Sequence, residues 1–341
     1  MRSLMREDAG LSGQRTTALK GLFAIAVLLS HAVPVSGICG RGAVNAAFEA
    51  LGYLGVALFF FASGYGLMAQ YRARGNAYLE GFLQGRVLPL YLLQLFLIAL
   101  YGTLLPLLGH RYSVGELLQS LLFGRTIVSN GWYLQAVLLF YVLFYVCYRR
   151  IRSEKWHFPA LCFSILAYML LASLFLYSRW YECSLAFLLG FAWNQYRPTL
   201  RALFFARWWR YLSVLFLTLL CFAAIFVLPD HAAAPLLLRV CRILVKCLSA
   251  PLFILAILPL MEGLRYEACP PLCALGKYSL DIYVLQGLSL HFFALPALSI
   301  ENKTLYLLLS LLGTAVLALL LHPLTGWILR LPTKILQRGL Q

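Results

Sequence analysis

Lys20 and His31 are the first residues in this chain whose types invite chemistry. They sit eleven positions apart in the apolar run LKGLFAIAVLLSHAVP, residues 19–34. On an α-helix that offset is close to three turns, which places both side chains on one face, about 16 Å apart along the axis. Lys20 is long enough to snorkel to a membrane surface, whereas an imidazole at position 31 is too short. His31 is therefore either a hydrogen-bonded packing residue or a general base or nucleophile, because neutral imidazole is the commonest proton acceptor near pH 7.

Other polar residues in apolar runs extend the set. Arg86, three residues before Pro89 in GRVLPLYLL, either anchors a helix at lipid phosphates or grips a phosphorylated ligand, since guanidinium matches phosphate oxygens two at a time. Arg239, Arg242 and Lys246 fall at i, i+3 and i+7, a single helical stripe of three cations. Such a stripe cannot face lipid, so it lines a polar cavity or meets anionic headgroups at an exposed end. Ser279, Tyr283 and Gln286 share a face in LGKYSLDIYVLQG while Asp281 points elsewhere, a pattern suited to a sugar ligand or to interhelical hydrogen bonding. Glu49 is read as either a solvated carboxylate or a site residue. Ser63, Gly64 and Gly66 are read as a close-packing surface.

These residues have to be held by elements built for lipid. Of the 341 residues, 62% are apolar and 12% charged, with a mean hydropathy of +0.82. Soluble domains run to about half apolar and a quarter charged, so the bilayer must be the solvent. Breaks at Pro, Gly and charge clusters leave ten apolar spans, near 16–35, 46–70, 86–108, 131–148, 158–177, 181–196, 211–228, 234–261, 272–297 and 303–329. Barrel-type alternation is absent, so the spans are helices. The expected fold is an all-α integral membrane protein, a bundle of about ten transmembrane helices in a single domain over residues 1–341 with no fused soluble domain.

Charge supplies an orientation. With both termini and the even-numbered loops in the cytoplasm, 20 of the 28 Lys and Arg lie inside. Five lie outside, Arg41, Arg111, Arg125, Arg179 and Lys303, and the other three form the stripe in the eighth span. The split follows the positive-inside rule, so the net charge of +16 is a topology signal and no nucleic-acid partner is expected. The charges of the first 20 residues and the run after them do not form a cleavable signal. The nine cysteines mostly sit in or beside apolar runs, and CPPLC, Cys269 to Cys273, has no second Cys/His pair, so neither a disulfide framework nor a metal site is expected.

Taken in order, several segments resemble the transmembrane acyltransferase 3 family of bacterial membrane O-acyltransferases. The family's basic residue, ten intervening residues and histidine match Lys20 to His31, with lysine where arginine is usual. GVALFFFASGYGL matches its second-helix pattern, and RVLP, Arg86 to Pro89, its Arg-x-x-Pro element, with Phe82 and Leu83 in place of a frequent double arginine. GWYLQAVLLFY matches at Trp132, Leu134 and Tyr141, with Val137 where a glutamate is common. WYECSLAFLLG and LGKYSLDIYVLQG match two more segments, the last with Gln286 in place of a histidine.

The resemblance implies transfer of an acetyl or other acyl group from cytoplasmic acetyl-CoA, a donor substrate with no permanently bound cofactor, to a hydroxyl of a cell-surface or lipid-linked glycan. The expected roles are His31 as base or nucleophile, Lys20, Arg86, Arg239, Arg242 and Lys246 around the coenzyme, and Trp132, Ser279, Tyr283 and Gln286 around the acceptor. Expected surroundings are the bilayer of a bacterial plasma membrane, with three routes open: the chain acts alone, recruits an extracytoplasmic partner that completes transfer, or modifies an acceptor that reaches the membrane. Loss of the family's glutamate and final histidine leaves a transport or binding protein on the same fold as the alternative.

Overall fold

The computed structural model describes residues 11–40, 42–122, 124, 126–228 and 235–339, the last seven by backbone alone. Arg2, Arg6, Arg41 and Arg125, which entered the charge count, lie outside the described residues, as do the side chains of Lys334 and Arg338. In chain order the helices are α1 (Gly13–Ser36), α2 (Ala43–Arg74), the single turn α3 (Ala77–Glu80), α4 (Leu88–Leu107), α5 (Val114–Leu121), α6 (Gly131–Arg150) and α7 (His157–Phe175). They continue with α8 (Ser184–Phe205), α9 (Trp208–Val227), α10 (Leu236–Gly263), α11 (Pro270–Lys277), α12 (Ser279–Phe293) and α13 (Lys303–Gly339). No strand occurs among the described residues.

Eight of the described helices are long and apolar enough to cross a membrane: α1, α2, α4 and α7 with their preceding turns, α6, α9, α10 and α13. The sixth and ninth expected spans correspond to α8 and to the pair α11 and α12, which pack among those eight yet fall short of that measure. α12 has 15 residues, and α8 carries Asn194, Gln195 and Arg197 in its middle. The protein is a multi-pass membrane helical bundle.

α2 is the axis of the bundle, gripped from two sides through glycines. A methyl group at Gly64 would strike the Phe187 carbonyl of α8, and one at Gly190 of α8 would strike the Phe61 carbonyl of α2. The two backbones thus approach through reciprocal glycines, the arrangement by which membrane helices associate without a hydrophobic driving force. On its other side, Gly52 and Gly55 admit Ser30 and Val27 of α1. A second reciprocal seam, Gly21 against Leu272 and Gly276 against Thr17, fastens α1 to α11. The rim is different: α9 buries little besides Val214 and Thr218, and exposes Phe216, Leu219, Leu220 and Phe226 to the lipid.

Two backbone irregularities have assignable causes. α8 kinks at Tyr196, two residues before Pro198, whose missing N–H frees the Asn194 carbonyl. Arg72 Nη1 donates to that carbonyl at 2.6 Å. Leu83–Val87 is a π-helical turn in which Leu88 N–H reaches back to the Leu83 carbonyl; it precedes Pro89 and carries Arg86. Such turns concentrate at functional sites.

At the Lys20 end, Glu262 of α10 accepts from Trp193 Nε1 at 3.2 Å, Arg197 Nε at 3.1 Å, and Arg201. Arg15 of α1 joins the same knot through the Glu262 carbonyl at 2.8 Å and the Glu267 carboxylate at 2.9 Å. This ties α1, α8 and α10 together and fixes the register of α1, which positions both Lys20 and His31.

Candidate active site

The eleven-residue offset places Lys20 and His31 in two stacked cavities. Lys20 lines the inner one, about 160 Å³, with Phe59 and Ser63 of α2, Tyr133, Val137 and Tyr141 of α6, and Ser279 and Tyr283 of α12. His31 lines the outer one, about 450 Å³, with Tyr53 of α2, Asn130 and Trp132 at the start of α6, Arg179, Glu182 and Tyr283. Tyr283 is a wall of both, 2% exposed and held edge-on against Phe59 and Tyr133. A third and larger groove, about 700 Å³, adjoins the His31 cavity through Asn130, Trp132 and Arg179.

The imidazole is set in one tautomer. His31 Nδ1 stands 2.8 Å from the Val27 carbonyl, an oxygen that can only accept, so Nδ1 carries the proton. In the neutral ring Nε2 then holds the lone pair, the state required of a proton acceptor. Ser30 Oγ donates to the same carbonyl at 2.7 Å and packs against Gly52, which holds α1 and α2 close where the ring emerges.

Around Lys20 the chemistry is cationic and phenolic. Arg86, on the π-helical turn, lies within electrostatic reach of Lys20 and of the hydroxyls of Tyr78 and Tyr141. Arg86 thus stands near Lys20 without lining its cavity. Val137, at the position where the family motif often has glutamate, faces this inner cavity, while the carboxylates Glu49 and Glu182 line the outer one.

The cationic stripe lies elsewhere. Antiparallel packing carries the first turns of α10 to the His31 end, so Arg239, Arg242 and Lys246 do not join Lys20 and Arg86. Lys246 Nζ pairs with Glu182 Oε1 at 3.0 Å, behind the His31 cavity. The Tyr53 hydroxyl donates to the Lys246 carbonyl, and Ser249 Oγ stands 2.9 Å from that hydroxyl. Arg242 caps the end of α9 through the Ile225 and Leu228 carbonyls, and Arg239 is exposed one turn further out.

Of the four residues expected around an acceptor, Trp132 and Tyr283 line the His31 cavity, and Ser279 joins Tyr283 in the Lys20 cavity. Gln286 lines neither. It is fully buried, and its Nε2 donates to the Tyr283 carbonyl at 2.9 Å. Asp281 points away, as its position on the helix implies, and meets His322 Nδ1 at 2.7 Å and Thr325 Oγ1 at 2.6 Å on α13.

Sequence reading missed Asn130, Arg179 and Glu182 as wall residues. Glu182 carried a usable signal, a lone carboxylate in WYECSLAFLLG immediately before an apolar helix, where an unpaired charge would be costly. Asn130 adopts a left-handed conformation, φ 61°, immediately before Gly131 and Trp132, and so turns the start of α6 toward the cavity.

The acyltransferase 3 family model, an acyltransferase domain, matches residues 16–323. The chain belongs to that family, and it is a membrane acyltransferase. No curated protein and no solved structure gave a match.

Proposed function

We propose that this acyltransferase moves an acetyl group from acetyl-CoA to a hydroxyl of a glycan, with His31 as general base. The observation that carries the reading is the His31 ring itself, tied through Nδ1 to the Val27 carbonyl and set in a cavity stacked directly over the one Lys20 lines. With the Lys20 end in the cytoplasm, as charge distribution favours, Arg86 and Lys20 meet the coenzyme's phosphates as charge-assisted donors. The acyl arm extends along the inner cavity toward Tyr283, and the acceptor hydroxyl enters from the His31 side.

The transfer then balances simply. His31 Nε2 takes the proton of the acceptor hydroxyl while its oxygen attacks the thioester carbonyl. The tetrahedral intermediate collapses by breaking the C–S bond, and the imidazolium returns the proton to the departing thiolate. Products are the ester and free CoA. The Val27 carbonyl keeps the ring oriented and accepts the Nδ1 proton's hydrogen bond throughout, the service a third group renders in catalytic triads. In this assignment the α10 stripe takes no part in holding the coenzyme; Lys246 neutralises Glu182 beside the acceptor cavity.

The test is turnover by the purified full chain in sealed proteoliposomes, with acetyl-CoA labelled in the acetyl group and a polysaccharide fragment as acceptor. Free CoA and labelled ester forming together, and only with acceptor present, is the expected result. Label that crosses the bilayer without thioester cleavage would overturn the reading in favour of transport.

A further inference from the structure

Of the residues lining the two stacked cavities, Tyr283 alone belongs to both. Its ring is wedged edge-on between Phe59 and Tyr133, which fixes where the hydroxyl lies. That hydroxyl is within electrostatic reach of Tyr133, a wall of the inner cavity, and of Cys183 and Arg179, walls of the outer one. The His31 ring is within reach of the same Arg179, so imidazole and phenol neighbour one guanidinium.

The Tyr283 hydroxyl has no hydrogen-bond partner among the described residues, and it is not one of the polar atoms sealed away from open space. Other hydroxyls around it are engaged. Ser30 donates to the Val27 carbonyl at 2.7 Å, Ser279 to the Gly276 carbonyl at 2.9 Å, and Tyr53 to the Lys246 carbonyl. Ser63 stands 3.5 Å from the Tyr133 hydroxyl. An O–H on a side chain only 2% exposed is costly to leave without an acceptor, so a ligand atom is the partner it awaits. Net charge does not replace it. The outer wall mixes Arg179 with the carboxylates Glu49 and Glu182, and Lys20 is three helical turns from His31.

On the acyl-transfer reading, the reacting carbonyl sits where a donor arm in the inner cavity meets a hydroxyl activated by His31 in the outer one. Tyr283 occupies that junction. Resting on that reading, we propose that the Tyr283 hydroxyl is the oxyanion donor of the reaction. Attack by the acceptor oxygen forms the new C–O bond and moves the carbonyl π pair onto its oxygen. The phenol donates a hydrogen bond to this oxyanion and keeps its own proton. Collapse restores the C=O and breaks the C–S bond, and His31 returns its proton to the thiolate. A fixed donor aimed at charge that develops only during reaction is most effective in a site closed to water.

Single-turnover transfer by the full chain in nanodiscs, with a polysaccharide fragment as acceptor, tests this with two donors. One is acetyl-CoA; the other is dithioacetyl-CoA, in which sulfur, a weak hydrogen-bond acceptor, replaces the carbonyl oxygen. Tyr283→Phe keeps the ring between the cavities and removes only the hydroxyl. Tyr283→Ala would not serve, since water entering the space it leaves supplies donors of its own. The Phe variant should bind acetyl-CoA as wild type does and transfer from it roughly a hundredfold more slowly. With dithioacetyl-CoA the same substitution should cost only a few-fold. Transfer from acetyl-CoA at the wild-type rate, an equal loss with both donors, or lost acetyl-CoA binding in the variant would each overturn the assignment and leave the His31 chemistry standing. A wild-type protein that transfers nothing from acetyl-CoA would overturn the acyl-transfer reading, and this assignment with it.

Discussion

Lys20 and His31, three turns apart on α1, open into two cavities that meet at the Tyr283 ring. This arrangement gives each cavity its own charged groups, Lys20 in one and His31 with Glu49, Arg179 and Glu182 in the other.

In the proposed transfer, Tyr283, a wall of both cavities, separates the donor side from the acceptor side. Tyr283→Ala should join the cavities and let water reach the thioester, raising acceptor-independent acetyl-CoA hydrolysis by roughly tenfold. Free CoA release without acceptor measures it. An unchanged hydrolysis rate with normal transfer would contradict the partition.

Arg86 and Lys20 should act on donor binding. Arg86→Gln is expected to raise KM for acetyl-CoA by roughly tenfold with kcat little changed, and high salt should raise KM more for the wild type than for the variant, narrowing the gap. Arg86→Lys should recover part of the loss, because a point charge replaces a two-pronged donor. Steady-state kinetics in nanodiscs decides it; a fall in kcat at constant KM would place Arg86 in the chemical step instead.

The Glu182–Lys246 pair, 3.0 Å apart with side chains 7% and 20% exposed, should be costly to break and cheap to replace. Glu182→Gln or Lys246→Met alone is expected to lose about 3–5 kcal/mol, since each leaves a buried charge uncompensated. The double variant should regain most of that. Melting of the purified variants in detergent, arranged as a double-mutant cycle, gives the coupling. Additive losses would mean the pair is not coupled.

Glu267, in the turn between α10 and α11, gives a pH signature through its pair with Arg15. Burial draws the Glu267 carboxyl upward, but hydrogen bonds from its own backbone N–H and from Arg15 outweigh this and hold it below its ordinary value of 4.5. A folded value below the unfolded one means the contribution is complete above the ordinary value and is lost as pH falls through the lowered one. The stability gap between wild type and Glu267→Gln should therefore hold steady at neutral pH and close on acidification below pH 4.5. Thermal melts across that range measure it, and a gap that widens in acid would contradict the sign.

The helices were legible because each is an apolar run cut by Pro, Gly or charge, and most bounds lie within a few residues of the expected spans. α8 and α13 run past the expected ends at 196 and 329, to Phe205 and Gly339. α12 is short, because α11 and the turn at Tyr278 take up the first part of its span. Within the site, the face shared by Lys20 and His31 was readable from helical spacing, and so was that of Ser279 and Tyr283. Spacing along one helix says nothing of which neighbour covers it, and Gln286, on the same face one turn on, ends up sealed between helices. Nor does it say at which level two antiparallel helices meet. For that reason the stripe at Arg239, Arg242 and Lys246, correct as a face, was expected beside Arg86 and lies at the far end. Arg179 was invisible because its neighbours come from α6 and α7, brought together by tertiary packing alone.

The proposed transfer depends on His31 Nε2, and single-turnover transfer at saturating acetyl-CoA tests that role most directly. His31→Ala, shown to fold and to bind acetyl-CoA as wild type does, should transfer roughly a hundredfold or more slowly. Transfer at the wild-type rate would contradict it.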